Sequence, residues 1–217
     1  MGSETVGQNK MIVIIDYGMG NVRSVAKAFE FLGALVCVTN NPEKISRASH
    51  LVLPGVGAFG RGMEHLNRYK LVEVLSEEAL IKKKPFLGIC LGMQLLGKES
   101  EEFGIYKGLG WIDAKIKKFD LDDKNLKISH VGWNNIILKK DCPLFLGVKE
   151  NIDFYFVHSF FMECKSAEDV VATCNYGHEF TAAIQKENIF ATQFHPEKSQ
   201  NYGLKILENF FNIKNYD

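Results

Sequence analysis

The amino-acid sequence predicts an α/β protein with a mainly parallel central sheet, flanking helices and a strand-rich C-terminal half. Two observations support this fold class. In the first half, short apolar runs rich in β-branched residues alternate with amphipathic helical segments, which is typical of strands buried on both faces of a parallel sheet. From about residue 111 to about residue 194 the segments are mostly strands, and the Glu187-Asn188 pair predicts a hairpin between two of them.

The elements of the first half follow from the apolar runs and from the residues that punctuate them. A strand at Met11–Ile15 precedes a helix that Asn21 is expected to cap and Gly33 to end. The remaining elements expected in this half are, in order, strands at 35–38 and 51–53, a helix over 62–80, a strand at 85–89 and a helix that opens at Leu91.

The second half is read in the same way. Its expected strands lie at 112–119, 135–138, 154–157, 170–174, 180–185 and 189–193. A closing helix is expected over 199–211, with its inward face formed by Tyr202, Ile206, Leu207 and Phe210. Residues 1–10 are polar and aperiodic and are interpreted as a disordered leader or an expression remnant, and residues 11–217 as one domain.

Composition excludes several classes of function. The 26 basic and 26 acidic residues cancel, which argues against nucleic acid or an anionic membrane surface as a partner. No apolar run reaches the roughly 18 residues of a membrane span. The five cysteines are odd in number and show no C-x-x-C spacing, so neither a disulfide framework nor a zinc site is indicated. We therefore expect a reduced, cytoplasmic protein without a metal or cofactor.

The most informative segment is the Gly88-Ile89-Cys90-Leu91-Gly92 run, where a buried strand leads directly into a helix. This G-x-C-x-G pattern is the cysteine counterpart of a nucleophile elbow. Glycines are needed on either side because side chains there would collide in the sharp turn. The helix start would favour a thiolate and supply a backbone N–H to an oxyanion. The alternative is a buried strand cysteine between two packing glycines.

Two further segments complete a candidate site. His195 and Glu197 flank a proline immediately after an apolar strand, so both side chains can project from one side of the turn and act as a base with its orienting carboxylate. The Pro54–Gly57 segment follows another buried strand, and its glycines let the main chain approach a small ligand. Alone, the histidine reads as a structural residue and the glycine segment as a tight turn.

These segments together resemble the class I, or triad, glutamine amidotransferases, from Met11 to the final helix. Within that class the sequence looks like the glutaminase subunits of imidazole glycerol phosphate synthases. The stretches that carry the resemblance are DYGMGN (16–21), LPGVGAFG (53–60), GICLGMQLL (88–96), GWN (132–134), FVHSF (156–160) and TQFHPEKSQNYGL (192–204). The resemblance implies the flavodoxin-like fold of this class.

The resemblance also implies a role for each matching residue. Cys90 would attack the carboxamide of glutamine, His195 would carry the proton and Glu197 would orient His195. The other residues implied in glutamine binding or in an oxyanion hole, through side chain or backbone, are Gly55, Val56, Gly57, Leu91, Gln94, Ser159 and Phe160. The family commonly has a hydroxylated aromatic residue where Phe160 stands, so only its main chain is expected to contribute.

Released ammonia needs an acceptor, and the chain has no phosphate-binding loop of the G-x-x-x-x-G-K-[ST] type. The resemblance implies a heterodimer with a (β/α)8-barrel cyclase that uses ammonia to make imidazole glycerol phosphate and AICAR in histidine biosynthesis. Asn21, Trp133 and Asn134 would lie at the docking face; alternatively, Trp133 belongs to the core.

Three other readings of the sequence are open. A similar glutaminase could serve a sugar amidotransferase that makes acetamidino sugars for surface glycans. A stand-alone cysteine peptidase or deglycase could share the scaffold, although such proteins usually place a histidine directly after the cysteine, where this chain has Leu91. A binding subunit without catalysis is disfavoured by the complete set of Cys90, His195 and Glu197.

Overall fold

The fold is described from a computed structural model, which covers residues 10–121, 126–149 and 151–214. The leader expected at residues 1–10 therefore lies, except for Lys10, outside the described residues. No helix in the described part of the chain is long and apolar enough to cross a membrane.

A nine-stranded sheet, counted over the described residues, forms the centre of the molecule. Its spatial order is β2-β1-β3-β4-β13-β12-β11-β8-β9. The first five strands in this order pair in parallel, and the last four pair antiparallel. The strands are β1 (Met11–Ile15), β2 (Leu35–Thr39), β3 (His50–Gly55), β4 (Phe86–Cys90), β8 (His130–Leu138), β9 (Asp153–His158), β11 (Val170–Tyr176), β12 (His178–Lys186) and β13 (Ile189–Thr192).

A second, four-stranded sheet has the order β10-β7-β5-β6. Its strands are β5 (Glu99–Ser100), β6 (Tyr106–Lys107), β7 (Ala114–Lys118) and β10 (Phe160–Cys164). Of these, only β7 was expected, because β5 and β6 have two residues each and carry no periodic signal. β10 follows β9 after a single residue, so the apolar stretch from 154 onward does not show where one strand ends and the next begins.

Six α-helices surround the sheets in the described residues: α1 (Val22–Phe31), α2 (Pro42–Ser46), α3 (Phe59–Arg68), α4 (Leu71–Ser76), α5 (Leu91–Gln94) and α6 (Gln200–Asn212). The single helix expected over residues 62–80 is wrong. The chain leaves α3 at Tyr69 and passes through Lys70, whose φ of 55° is left-handed, before α4 begins. A π-helical turn at Glu77–Ile81 follows α4. Apolar spacing continues across the break, which explains the error.

The helix start at Val22 is confirmed, but the expected side-chain cap is not. Asn21 makes no side-chain hydrogen bond to the helix backbone. Its Oδ1 instead accepts a hydrogen bond of 2.8 Å from the Ser24 hydroxyl. The backbone N–H groups of Ser24 and Val25 donate to the Asn21 carbonyl. The first turn of the helix is therefore closed by backbone groups and not by a side chain.

The parallel half of the sheet brings the predicted site segments to one edge. Gly55 at the end of β3 lies opposite Cys90 at the end of β4, and Ile89 lies opposite Thr192 at the end of β13. In open α/β sheets, ligands bind at the carboxyl ends of the strands. The three chemistry-bearing segments therefore meet where such a site is expected.

Candidate active site

Cys90 occupies a strained backbone position at the end of β4. Its φ of 54° and ψ of −109° lie in a region that residues with side chains rarely adopt. A Cβ atom added at Gly92 would lie 1.7 Å from the Leu53 carbonyl oxygen, and one added at Gly88 would lie 2.8 Å from the Gly92 carbonyl oxygen. The predicted steric need for both glycines is therefore confirmed. The helix that follows has a single turn, so its dipole contributes less than a long helix would.

His195 and Glu197 form a buried pair beside the elbow. His195 Nδ1 lies 2.8 Å from Glu197 Oε1, and the two side chains are only 2% and 1% exposed. The ring is held from the backbone as well, since the His195 N–H donates to the Tyr155 carbonyl and the His195 carbonyl accepts from Ser199 Oγ. His195 Nε2 has no hydrogen-bond partner within the described chain. The Glu197 contact therefore fixes the ring and leaves Nε2 free for proton transfer.

The charge of His195 depends on its neighbours. Burial disfavours the imidazolium, but the interaction with Cys90, followed by that with Glu197, outweighs burial and raises the pKa of His195. Both neighbours therefore favour the imidazolium form of His195, the form that can pair with a cysteine thiolate. Such a pair is the activated form of a cysteine nucleophile.

Two groups from other parts of the chain also contact the Cys90 sulfur. Gln193 Nε2 lies 3.7 Å from Sγ, and the Val157 carbonyl oxygen lies 3.9 Å from it. Gln193 comes from the turn that follows β13, and Val157 comes from β9. The sulfur is therefore positioned by three separate parts of the sheet.

A cavity of about 550 Å³ opens at Cys90. This volume is in the usual range for small-molecule sites. Its lining includes most of the residues expected to bind glutamine, namely Val56, Gly57, Leu91, Gln94, Ser159 and Phe160. A larger cavity of about 690 Å³ lies against β10 to β12 and contains none of the predicted site residues. The smaller cavity is the candidate site because it alone, of the two, contains the nucleophile.

The oxyanion segment borders this cavity. Gly55 ends β3 beneath the surface, Val56 is 41% exposed, and Gly57 has a left-handed φ of 106°. A Cβ at Gly55 would lie 2.4 Å from the Tyr17 hydroxyl and 2.8 Å from Leu91 Cβ. The glycine at this position is therefore required by close packing against both neighbours.

Gln94 is buried in the cavity wall. Its Nε2 donates to the Phe160 carbonyl at 2.8 Å and to Gln193 Oε1 at 3.1 Å. Both amide hydrogens are thereby used within the protein, which leaves Oε1 as the group that can meet a ligand. The same contact orients the Phe160 main chain at the rim of the cavity.

The residues expected at a docking face lie at or near the surface. Trp133 on β8 is 47% exposed and contacts Tyr155 edge-on at a centroid distance of 5.9 Å. The alternative interpretation of Trp133 as a core residue is therefore wrong. Asn21 and Asn134 are half-buried.

Sequence reasoning missed three residues near the nucleophile. Gln193 and His158 are buried polar residues at or beyond the ends of apolar strands, and that pattern could have identified them. Tyr17 is fully buried, and its hydroxyl has no partner among the described residues. Burial, and to a smaller extent the charge of Cys90, raise the pKa of Tyr17. In the sequence, only the position of Tyr17 directly after a buried strand indicates a role at the site.

The fold and the site together define an α/β protein with a candidate cysteine nucleophile and a histidine–carboxylate pair at the carboxyl edge of its sheet. The family model described as "Glutamine amidotransferase class-I" matches residues 13–213. The chain therefore belongs to the class I glutamine amidotransferase family.

Individual relatives are similar over nearly their whole length. "Imidazole glycerol phosphate synthase subunit HisH 1" of Campylobacter jejuni (strain RM1221) is 52% identical, over 94% of this chain and 100% of that protein. "Imidazole glycerol phosphate synthase subunit HisH 2" of Pseudomonas aeruginosa is 45% identical over the same shares. A solved structure described as PurLQS from Thermotoga maritima has a TM-score of 0.70 at 20% identity, with 94% of this chain and 99% of that chain covered. That structural likeness supports the fold.

Proposed function

We propose that this protein is the glutaminase subunit of an imidazole glycerol phosphate synthase. It hydrolyses glutamine to glutamate and ammonia, and a cyclase partner uses the ammonia to make imidazole glycerol phosphate and AICAR in histidine biosynthesis. The observation that carries the proposal is the buried His195–Glu197 pair next to Cys90 at the cavity. The names of relatives 45% and 52% identical support the choice of pathway.

The chemistry follows from the contacts at the elbow. The Cys90 thiolate attacks the carboxamide carbon of glutamine, and the tetrahedral intermediate collapses to a thioester as the C–N bond breaks. His195 Nε2 gives its proton to the leaving nitrogen, so ammonia departs. A water molecule then attacks the thioester, with His195 as the base, and glutamate is released with the thiol restored. Glu197 keeps Nδ1 protonated throughout.

The cavity supplies the binding groups. The backbone N–H of Leu91 is one donor to the oxyanion, and that of Val56 is the second after the Gly55–Val56 peptide rotates. Gln94 Oε1 accepts from the α-amino group of glutamine, and the main chain at Ser159 and Phe160 completes the site. This peptide rotates through ψ of Gly55 and φ of Val56, and the missing Cβ of Gly55 makes the rotation sterically accessible.

The partner is a (β/α)8-barrel cyclase whose docking face includes Trp133, Asn134 and Asn21. An exposed tryptophan is typical of interface hot spots. All five cysteines are free thiols, which supports a cytoplasmic location.

Glutaminase activity is expected to be low in the isolated chain and to rise on addition of the cyclase and again on addition of its acceptor substrate. The reason is the second oxyanion donor, because loss of one such donor costs about 10²–10³ in rate. Steady-state ammonia release should be measured for the chain alone, the complex, and the complex with acceptor. Equal rates in all three would contradict the switch. Activation by a sugar amidotransferase and by no cyclase would instead support the surface-glycan alternative.

The His195–Glu197 pair makes a graded prediction. His195→Ala should lower kcat in the complex about 100-fold more than Glu197→Gln does. Alanine at position 195 removes the proton carrier, whereas the glutamine side chain at position 197 retains an oxygen that can accept from His195 Nδ1–H. The kcat of each variant is measured from the rate of glutamate formation in the complex. Glu208→Gln is a matched control, since Glu208 pairs with Lys205 on α6 at the surface. An unchanged rate in Glu197→Gln would assign the carboxylate a purely structural role.

A further inference from the structure

A continuous series of hydrogen bonds runs from β8 into the glutamine cavity. Asn134 Nδ2 lies 3.3 Å from His130 Nε2, and His130 Nδ1 lies 3.2 Å from His158 Nε2. His158 Nδ1 in turn lies 2.8 Å from the Phe160 carbonyl oxygen. Asn134 is half-buried, whereas both histidines are buried. Neither histidine has a role in the chemistry described above.

The series continues to the nucleophile. The Phe160 carbonyl also accepts from Gln94 Nε2, which donates to Gln193 Oε1 as well. Gln193 Nε2 is the group 3.7 Å from Cys90 Sγ. The Asn134 amide on the predicted docking face is therefore joined to the Cys90 sulfur by hydrogen bonds through four side chains and the main-chain carbonyl of Phe160.

The groups at the two ends of the series require the same donor-to-acceptor direction for its hydrogen bonds. The Asn134 amide nitrogen can only donate, so His130 Nε2 must accept and Nδ1 must carry the proton. At the other end the Phe160 carbonyl can only accept, so His158 must also carry its proton on Nδ1 and accept at Nε2. Both rings are thus neutral Nδ1–H tautomers. Burial acts in the same direction, since it lowers the pKa of His130 to about 4 and the pKa of His158, which is also lowered by the charges of His130 and His195, to about 3.

The orientation of the Asn134 amide is itself fixed. Its Oδ1 accepts from the Asn135 N–H at 2.9 Å, and its Nδ2 also donates to the Asn175 carbonyl at 2.9 Å. A flip of the amide would place an oxygen against the Asn175 carbonyl and a donor against the Asn135 N–H. The donor therefore stays directed at His130 as long as the surrounding backbone keeps its position.

We propose that Asn134 is a positioning residue that, together with the Phe160 carbonyl at the other end of the series, fixes the tautomers of His130 and His158 and so helps to hold the Phe160 carbonyl and Gln94 in place for glutamine. This proposal rests on the proposed glutaminase function and specifies how the docking face acts on the active site. A partner that displaces the Asn134 amide changes which nitrogen of the His130 ring carries the proton. Through His158, that change alters the hydrogen bond to the Phe160 carbonyl in the cavity wall, two residues after the end of β9.

The competing explanation is that the histidines only fill space. The His130 ring does stack on Phe156 and Tyr176, at centroid distances of 4.8 and 4.1 Å. A packing role is insensitive to the position of the ring proton. The two explanations therefore differ in what happens when the donor at residue 134 is removed without a change in volume.

The test is Asn134→Asp, which replaces the donor by an acceptor of the same shape. The carboxylate requires a proton on His130 Nε2, so the ring either changes tautomer or becomes charged. Ring-nitrogen NMR shifts of the ¹⁵N-labelled free chain report the proton positions, and kcat and KM for glutamine are measured in the complex at saturating partner. Asn135→Asp is the matched control, because it adds the same charge at the neighbouring position, where the side chain is exposed.

The wild-type chain is expected to show Nδ1–H at both rings. Asn134→Asp should alter the ring-nitrogen shifts of His130 and His158 and lower kcat by about tenfold, the usual effect of one misplaced hydrogen bond to a charged or buried group. Asn134→Ala, which removes the donor without adding charge, should give mixed tautomers at His130 and a smaller loss. Asn135→Asp should change neither readout.

Unchanged His158 shifts in Asn134→Asp would overturn the proposal, as would altered shifts with an unchanged kcat. A loss of activity that saturating partner restores would also overturn it, because the residue would then act on affinity alone. If Asn134→Asp unfolds, the Asn134→Ala shifts decide in the same way. Failure of the glutaminase proposal itself is recognised separately, by a wild-type complex that releases no ammonia from glutamine.

Discussion

Replacement of Cys90 by serine is expected to lower glutamine-dependent product formation by about 10⁴-fold or more, while ammonia-dependent synthesis by the partner continues at the wild-type rate. A serine hydroxyl in the same place is a far weaker nucleophile than a thiolate paired with an imidazolium. The raised pKa of His195, which depends on Cys90, is part of this activation. Free ammonia bypasses the whole site, so the cyclase reaction serves as an internal control.

The measurement is product formation in the complex with glutamine or with ammonium salt as the nitrogen source. Cys37→Ser is the matched control, because Cys37 is a free, half-buried thiol on the edge strand β2, away from the Cys90 cavity. It should behave as the wild type with both nitrogen sources. Glutaminase activity that survives in Cys90→Ser would remove this residue from the mechanism and leave the cavity without a nucleophile.

Gly92→Ala is expected to destabilise the protein by at least about 3 kcal/mol and to abolish glutaminase activity in what remains folded. The added Cβ would lie 1.7 Å from the Leu53 carbonyl oxygen, and no side-chain rotation can relieve a contact with backbone. Either β3 or the elbow has to move. Both carry parts of the site, because β3 leads into the oxyanion segment and the elbow carries Cys90.

Urea denaturation followed by circular dichroism measures the change in the free energy of unfolding. Gly62→Ala is a suitable comparison, since the three atoms nearest to its added Cβ are ends of the Leu95 and Leu91 side chains, at 3.1 to 3.4 Å. Because Gly62 is inside α3, alanine there offsets the contact by its better helix propensity, and a net change within about 1 kcal/mol is expected. Equal stability of the two variants would show that the elbow is less tightly packed than its geometry indicates.

Cys90 and His195 could be predicted as candidate nucleophile and base because each lies in a local sequence pattern. The glycines on either side of Cys90 are required by steric contacts within a single turn. His195 and Glu197 are two residues apart, one on each side of a proline. The local patterns do not show that the two segments approach each other. The family resemblance implied it, and the parallel pairing of β4 with β13 brings them together. The Glu187-Asn188 hairpin, confirmed between β12 and β13, places the histidine beside β4.

Several contacts within the site join distant residues and could not be predicted, although Gln94 and Phe160 were each expected to take part in glutamine binding. His130 and His158 are 28 positions apart, and Gln94 and Phe160 are 66 apart. Nothing near any of them in sequence indicates their partners. The break at Lys70 was missed for a different reason, because a lysine with left-handed φ carries no signal of the kind that glycine or asparagine would give.

The parallel pairing of β4 with β13 has a consequence for the synthesis and folding of the enzyme. The nucleophile precedes the strand that delivers its base by about a hundred residues, and Gln193 reaches the Cys90 sulfur across a separation of 103. Contacts of such long range form late in folding because the intervening loop must close first. During synthesis, Cys90 leaves the ribosome well before His195 exists. A partly made chain therefore carries the Cys90 thiol before His195, its proposed proton carrier, has been added.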